Sequence, residues 1–235
     1  TVSAIPGIAG LEPTLNMINT SRKVLLANKE SVICGWDLIK KTALRSQTKI
    51  IPIDSEHFSI FQLLKEHELK DIKKIYLTAS GGPFLNIEKK KLRKIKPSDA
   101  LKHPKWKMGK KISIDSATLM NKILEFVEAQ KLFNIPQKKL GIIIHPNSLV
   151  HAIAELNNGI TKLIYHETSM LIPLANAIFE DKLIIEDFYK TNIKKSFNNL
   201  IFQSVKSDVF PIFKIIKKIN KYSSAPIIIN ASNEI

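Results

Sequence analysis

The chain has 235 residues, 44% of them hydrophobic, which is enough to bury the core of one or two domains. Its net charge is +15, but Arg22, Arg45 and Arg93 are the only arginines among 36 basic residues. Arginine is the residue that best reads base edges and clamps phosphates, so this lysine-rich composition argues against a nucleic-acid-binding module. No apolar run is long enough to span a bilayer, and no signal peptide is visible.

Three predicted strands are each followed by a polar segment. Strands at residues 23–27, 49–53 and 75–78 lead into the segments 28–31, 54–56 and 78–83. Ligands collect at the carboxyl ends of strands in open α/β folds, so these segments are candidates for a binding site. In the last of them, the paired Gly81 and Gly82 let backbone amides approach an anion closely. An ordinary strand-to-helix turn is the commoner meaning of such segments.

The segment after the strand at 49–53 carries two carboxylates. Asp54 and Glu56 are two residues apart, and in an extended segment both side chains point the same way. Together with Glu125 they offer carboxylate oxygens from two elements, and these suit Mg²⁺ or Mn²⁺ better than zinc. The alternative is that Asp54 only caps a helix and that Glu56 complements the helix dipole.

A second polar cluster lies on a predicted helix. Residues 113–116 are typical of a helix start, and apolar residues recur at helical spacing after them. Asn121, Lys122 and Glu125 then fall within one turn, close to the N-terminal turn around Ser116. A cation, an amide, a hydroxyl and a helix N-terminus together suit a phosphate group. The alternative is that Lys122 and Glu125 form a solvated surface pair.

Several ungapped segments resemble the 1-deoxy-D-xylulose 5-phosphate reductoisomerase family, in its order and at its spacing. They are residues 25–31, 52–57, 80–84, 103–113, 115–122 and 144–146, and the resemblance runs from residue 1 to about 235. It implies an α/β fold in which the end of a Rossmann-like doubly wound domain is followed by an α/β catalytic domain. It also implies an NADPH- and metal-dependent enzyme of non-mevalonate isoprenoid biosynthesis. Such an enzyme isomerises and reduces 1-deoxy-D-xylulose 5-phosphate to 2-C-methyl-D-erythritol 4-phosphate.

The same resemblance implies roles for individual residues, motif by motif. The ligands of Mn²⁺ or Mg²⁺ are expected to be Asp54, Glu56 and Glu125. The catalytic residues are expected to be Lys29, Glu56 and His103. The contacts of the phosphorylated ketose are expected to be Lys29, Ser55, Glu56, Ser80, His103, Ser116, Asn121, Lys122 and Glu125. The NADPH contacts are expected to include Asn28, Glu30 and Gly109, and a flap that carries Trp106 and Met108 is expected to close over the substrate.

Three histidines near these motifs are not expected to bind the metal. His57 follows the two carboxylates and is expected to orient them or to start a helix. His145 and His151, on either side of Pro146, are expected to be structural polar groups near the site.

The resemblance also predicts how the chain is divided. Residues 1–54 are expected to end an NADPH-binding Rossmann-like domain, and residues 55–180 to form the catalytic domain. Residues 181–235, with an amphipathic stretch at 210–220, are expected to lead toward a C-terminal helical domain. Because no Gly-x-Gly-x-x-Gly turn follows a first strand, we expect the chain to be an internal fragment that is inactive by itself.

Partners and location follow from the resemblance and from the single Cys34. We expect a homodimer with no nucleic-acid or membrane partner. One unpaired cysteine favours a reducing compartment, so the cytoplasm is predicted, with a plastid as the alternative if a transit peptide precedes Thr1.

Two other functions are kept as alternatives. A basic nucleic-acid-binding module would use lysine-rich runs such as 89–91 and 194–195, which we expect instead to be solvated faces. An inactive remnant would act through interaction alone, for example by dimerisation through the strands around 142–144 and 163–165.

Overall fold

The computed structural model describes residues 1–187, 189, 190 and 200–234, so Lys194, Lys195 and Ile235 lie outside the described residues. The strands are β1 (Val2–Ser3), β2 (Lys23–Leu26), β3 (Lys49–Pro52), β4 (Ile72–Ala79), β5 (Leu140–Ile144), β6 (Val150–Leu156) and β7 (Thr161–Tyr165). The α-helices are α1 (Leu11–Thr20), α2 (Lys29–Ser46), α3 (Ser55–Glu66), α4 (Pro97–Ala100), α5 (Lys110–Thr118), α6 (Met120–Phe133), α7 (Leu171–Phe179) and α8 (Ala225–Glu234). Short 3₁₀ helices lie at Ile8–Gly10, Gly82–Phe84, Lys89–Lys94, Gln137–Lys139, Glu180–Lys182, Ile185–Asp187 and Pro211–Lys218.

The first sheet is parallel throughout, with the strand order β1-β2-β3. Leu25 in the central strand pairs with Val2 on one side and with Ile51 on the other. The helices α1 and α2 connect these strands, and Ile18 and Ile39 from them pack in one buried cluster with the strand β2. Alternation of strand and helix around a parallel sheet is the doubly wound arrangement, so the predicted α/β class is confirmed.

The second sheet is mixed, with the order β5-β4-β6-β7. β5 runs parallel to β4, whereas β6 is antiparallel to β4 and to β7. Ile75 and Leu77 of β4 pack against Ile123 and Phe126 of α6 in the largest buried cluster of the described residues. The buried face of α6 fixes that helix against the sheet, which matters because α6 carries one of the predicted site segments.

The helix around the second polar cluster begins later than the sequence predicted. Ser116 lies in the last turn of α5, and α6 begins only at Met120. Leu119 between them has a left-handed backbone with φ of 70° and is 2% exposed. Burial of its side chain in the core compensates the cost of a positive φ, which local sequence signals do not reveal. The expected helix start at 113–116 is therefore wrong.

The last described part of the chain packs back onto the core. Apolar residues of the 3₁₀ helix Pro211–Lys218, among them Ile212 and Phe213, lie against the cluster that contains α6. The lysines at 89–91, by contrast, are exposed, as the sequence predicted. Within the described residues, each helix is too short or too polar to reach across a lipid bilayer.

Candidate active site

A cavity of about 570 Å³ lies where the polar segments after β2, β3 and β4 meet α5 and α6. The segments 27–30, 54–56 and 78–81 line it from the strand ends. All residues with a predicted site role line this cavity: Asn28, Lys29, Glu30, Asp54, Ser55, Glu56, Ser80, His103, Trp106, Met108, Gly109, Ser116, Asn121, Lys122 and Glu125. The fold therefore brings them together, while the role of each stays a prediction.

Three carboxylates converge at the inner end of the cavity. Asp54, Glu56 and Glu125 each offer one oxygen, and these oxygens lie within 4.8 Å of one another. Asp54 occupies the N-cap position of α3 but accepts no capping hydrogen bond with its side chain. Glu56 is in the first helical turn, so the expectation that both side chains align in an extended segment is wrong. They converge because Asp54 directly precedes the helix and Glu56 lies in its first turn.

Two buried lysines bind these carboxylates. Lys29 Nζ lies 3.0 Å from Glu125 Oε1 and 3.2 Å from Asp54 Oδ2, and it donates to Asn121 Oδ1 at 2.7 Å. Lys122 forms ion pairs with Glu56 and Glu125. The side chains of Lys122 and Glu125 are 6% and 2% exposed, so the alternative of a solvated surface pair is wrong.

The charges of this cluster shift the pKa of several groups in opposite directions. Burial would lower the pKa of Lys29, but Glu125 and Asp54 raise it well above its usual value. Burial would raise the pKa of Asp54, but Lys29 and His57 hold it well below its usual range. Burial and the facing Glu125 raise the pKa of Glu56 to about 8. Three carboxylates thus face two lysines, and this excess of negative charge is one reason why the pKa of Glu56 is raised.

Ser80 and His103, which also line the cavity, form a hydrogen-bonded pair. His103 Nδ1 accepts the backbone N–H groups of Lys105 and Trp106 at 3.1 and 2.9 Å, so its hydrogen is on Nε2. Nε2 then donates to Ser80 Oγ at 3.0 Å, and the backbone N–H of Gly82 donates to the same oxygen at 3.1 Å. Because both lone pairs of Ser80 Oγ are used, its hydroxyl hydrogen is free to be donated to an anion.

The predicted flap lies between α4 and α5 as a loop without regular structure. Its Trp106 is half-buried, and the indole ring meets the ring of His151 edge-on at a centroid distance of 6.3 Å. His151 in turn stacks on His166 at 3.7 Å, and burial lowers the pKa of His151 well below its usual value. Trp106 therefore closes one side of the cavity over a neutral aromatic pair.

The predicted cofactor contact Asn28 lies beside the N-terminal segment. Asn28 caps α2 by accepting the N–H of Ser31, and its amide donates to the carbonyl oxygens of Ile5 and Gly7. A side chain at Gly10 has no room, because a Cβ there would lie 2.5 Å from the Ile5 carbonyl oxygen. The side chain of Asn28 thus holds this segment in place, which the sequence did not predict.

Two other predicted cofactor contacts, Glu30 and Gly109, line the same cavity. Glu30 is buried, and its Oε1 is 3.9 Å from Lys111 Nζ. Gly109 precedes α5, and no atom lies within 4 Å of the position that a Cβ would take. The space beside Gly109 is therefore open to a ligand.

Sequence reasoning missed several residues of this region. Ser148 lines the cavity, and Glu128 lies buried behind the carboxylates; His151, which was expected to lie near the site, also lines the cavity. Glu128 had a usable signal, since it follows Glu125 by three residues and so shares its face of the helix. His145 is fully buried and stacks on Phe202 at 4.8 Å, as expected of a structural group.

Two family models match the chain. The model of 1-deoxy-D-xylulose 5-phosphate reductoisomerase matches residues 1–35, and that of the C-terminal domain of the same enzyme matches residues 50–133. Among curated relatives, the reductoisomerase of Pelagibacter ubique is 47% identical over 99% of this chain and 60% of its own length. That of Wolbachia from Drosophila simulans is 46% identical over 100% of this chain and 61% of its own length.

Solved structures give the same result. A crystal structure of DOX-P reductoisomerase in complex with NADPH, fosmidomycin and magnesium has a TM-score of 0.89 at 37% identity, over 99% of this chain and 60% of that one. The Zymomonas mobilis enzyme in complex with NADPH has a TM-score of 0.89 at 34% identity, over 100% of this chain and 61% of that one. The chain thus spans about 60% of the length of the curated relatives that it matches. It belongs to the 1-deoxy-D-xylulose 5-phosphate reductoisomerase family.

Proposed function

We propose that the protein to which this chain belongs converts 1-deoxy-D-xylulose 5-phosphate to 2-C-methyl-D-erythritol 4-phosphate, with NADPH and Mn²⁺ or Mg²⁺. The observation that carries the proposal is the convergence of three carboxylates and two buried lysines at one end of a cavity. The Ser80–His103 pair, which suits an anion, lies in the same cavity. Relatives of the same family support it, since solved members are complexes with NADPH and with magnesium.

Asp54, Glu56 and Glu125 are the residues that would hold the divalent ion. Their oxygens are the hard ligands that Mg²⁺ and Mn²⁺ take, and the raised pKa of Glu56 indicates that the cluster has room for another positive charge. When bound, the ion supplies Lewis-acid stabilisation of the ketose oxygens, and NADPH supplies the hydride. Lys29 and Ser55 are proposed to hold the hydroxyl end of the substrate beside these carboxylates.

The phosphate end of the substrate is proposed to lie against Ser80, His103, Ser116, Asn121 and Lys122. Ser80 has a hydroxyl hydrogen to donate, and Lys122 and Asn121, in the first turn of α6, offer a cation and an amide. Phosphate binding far from the reacting carbons would use its energy to orient the ketose. Asn28, Glu30 and Gly109 are proposed to contact NADPH.

The proposed assembly is a cytoplasmic homodimer. β7 is the last strand in the order of the second sheet, and Leu163 on it is 39% exposed, so a second copy has an edge to bind. We further propose the division at 1–54, 55–180 and 181–235. A reducing compartment fits the single free Cys34.

The proposed function is tested by NADPH oxidation in the full-length protein, with the phosphoketose and Mn²⁺. We expect turnover that needs all three components and that ends when the ion is chelated. Folded protein that shows no NADPH oxidation under these conditions would support the inactive-remnant alternative. DNA affinity that falls steeply with salt, and that Asp54→Asn leaves unchanged, would support the nucleic-acid alternative.

Replacement of Trp106 by alanine is expected to raise KM for the phosphoketose roughly tenfold, the equivalent of one lost aromatic contact of about 1–1.5 kcal/mol. The indole covers the cavity beside His151, so its loss admits water to the site. Steady-state kinetics measure the effect. Trp36→Ala is the matched control, since Trp36 is partly buried against the cluster that contains Ile18 and Ile39 and does not line the cavity, so its loss should lower stability without a change in KM. An unchanged KM in Trp106→Ala would contradict the flap.

The affinity for Mn²⁺ is expected to rise about tenfold per pH unit from pH 6 to pH 8 and then to level off. The pKa of Glu56 is raised to about 8, so at lower pH this carboxyl keeps its proton. The proton must leave before the carboxylate can bind a cation. Calorimetric titration in two buffers of different ionisation enthalpy measures both the affinity and the proton released.

Glu56 also determines whether the stability of the metal-free chain rises or falls with pH. An unfolded glutamate ionises near pH 4.5, before Glu56 in the folded chain, so stability should fall as pH rises from about 4.5 to 8. Affinity for Mn²⁺ that is independent of pH in this range would show that Glu56 is already ionised.

A further inference from the structure

A buried pair of polar side chains lies directly behind the three carboxylates. His57 is 0% and Glu128 is 1% exposed, and Nδ1 of the ring lies 3.4 Å from Glu128 Oε2. Neither residue lines the cavity, so neither touches a ligand there. Phe133 stacks against the other side of the imidazole with ring centroids 6.5 Å apart. Burial of two ionisable groups costs free energy, so we expect this pair to have a role that compensates the cost.

The imidazole of His57 contacts two of the residues that carry the carboxylates. Nε2 lies 2.9 Å from the backbone oxygen of Glu125, and because a carbonyl oxygen only accepts, Nε2 carries the ring hydrogen. Nδ1 faces Asp54 Oδ1 at 4.0 Å as well as Glu128. The orientation of this one ring thus bears on both Asp54, before α3, and Glu125, in α6.

Glu128 is the group that holds the ring in this orientation. Among the described residues, neither His57 Nδ1 nor Glu128 Oε2 has a hydrogen-bond partner, and Glu128 Oε2 at 3.4 Å is closer to Nδ1 than Asp54 Oδ1 at 4.0 Å. The positions of both side chains follow from helical spacing: His57 follows Asp54 by three residues, and Glu128 follows Glu125 by three. The pair therefore joins the start of α3 to the middle of α6 at the level of the carboxylates.

A second cation is a poor explanation of this pair. Asp54, His57 and Glu128 do offer ligand atoms within 4.8 Å of one another. Mg²⁺ and Mn²⁺, however, take about six ligands and usually keep several waters. His57 and Glu128 are almost fully buried, so three protein atoms would have to serve alone.

We propose that Glu128 is a positioning residue for the metal site and acts through His57. By fixing the ring, it holds the side chain of Asp54 and the backbone of Glu125 at the separation that a divalent cation requires. This inference rests on the proposed function, because it assumes that Asp54, Glu56 and Glu125 bind the ion. Groups that orient metal ligands in this way typically contribute about 10–100-fold to metal affinity.

The test compares three variants of the chain by Mn²⁺ calorimetry and by thermal melting without metal. Glu128→Leu keeps the volume but offers no polar partner, so we expect Mn²⁺ affinity to fall at least about tenfold while Tm is unchanged or higher. Glu128→Gln places an N–H donor within reach of Nδ1, the ring nitrogen without a hydrogen, so affinity should stay within about threefold of wild type. Val127→Ala, a buried neighbour in the hydrophobic core, should lower Tm without a change in affinity.

The outcomes separate this inference from the proposed function. Wild-type affinity in Glu128→Leu would overturn the inference and leave the metal site intact, provided that Asp54→Asn abolishes binding. Equal losses in Glu128→Gln and Glu128→Leu would also overturn it, because negative charge rather than ring orientation would then matter. Two Mn²⁺ ions per wild-type chain and one in Glu128→Leu would overturn it in favour of a second cation site. No Mn²⁺ binding by folded wild-type chain would overturn the proposed metal site itself.

Discussion

Asp54→Asn is expected to abolish Mn²⁺ binding to the chain, with a loss of more than about a hundredfold in affinity, beyond the effect of residues that only orient ligands. Lys29 and His57 hold the pKa of Asp54 well below its usual range, so this carboxylate is fully ionised at neutral pH. Asparagine has nearly the same shape but no charge, and it leaves two of the three carboxylates that converge in the cavity. Calorimetric titration of Mn²⁺, with and without the phosphoketose, measures the loss.

The control is a carboxylate-to-amide change away from the cavity. Glu155→Gln, on β6, removes one negative charge from a half-buried position that does not line the site. It should leave Mn²⁺ affinity unchanged, so a loss specific to Asp54→Asn reports ligation and not net charge. In the full-length protein, Asp54→Asn should lower kcat by at least about a thousandfold, or about 4 kcal/mol. Mn²⁺ binding that survives in Asp54→Asn would place the ion elsewhere.

Local sequence patterns predicted the segments of the site better than its geometry. Strands that end near residues 27, 53 and 78 were recognised from their apolar runs, and their polar successors do line one cavity. The shared face of Asn121, Lys122 and Glu125 also followed from helical spacing, which any helix imposes. Motif similarity added the rest, including His103 and Gly109, because several ordered motifs specify a family that no single spacing identifies.

What failed were inferences that depend on tertiary packing. The alignment of Asp54 with Glu56 was ascribed to an extended segment, but α3 begins at Ser55. The break at Leu119 is stabilised by burial in a core assembled from distant strands, and no signal within five residues of it reports that burial. Whether Lys122 is solvated or buried likewise depends on contact with Glu56, 66 residues away.

Lys29→Met is the second substitution for which we expect a large effect. Asp54→Asn removes a negative charge from the carboxylate cluster, whereas Lys29→Met removes a positive one. Methionine fills a similar volume without charge, so the three carboxylates retain one cation instead of two. Breaking a buried ion pair typically costs about 3–5 kcal/mol, so the metal-free chain should melt at a lower temperature. Saturating Mn²⁺ should restore much of this loss, because the ion supplies the missing positive charge and binds only the folded chain.

Activity should not recover with stability in Lys29→Met. Lys29 lines the cavity and is proposed to hold the hydroxyl end of the ketose, so kcat should stay at least about a hundredfold low, or about 3 kcal/mol, even at saturating Mn²⁺. Lys162→Met is the matched control: its side chain is 38% exposed and does not line the cavity, so loss of its pair with Glu66 should change neither kcat nor the effect of Mn²⁺ on the melting temperature. Melting curves with and without Mn²⁺, together with kcat, separate the two roles of Lys29. Full activity of Lys29→Met once Mn²⁺ has restored its stability would mean that Lys29 only balances charge.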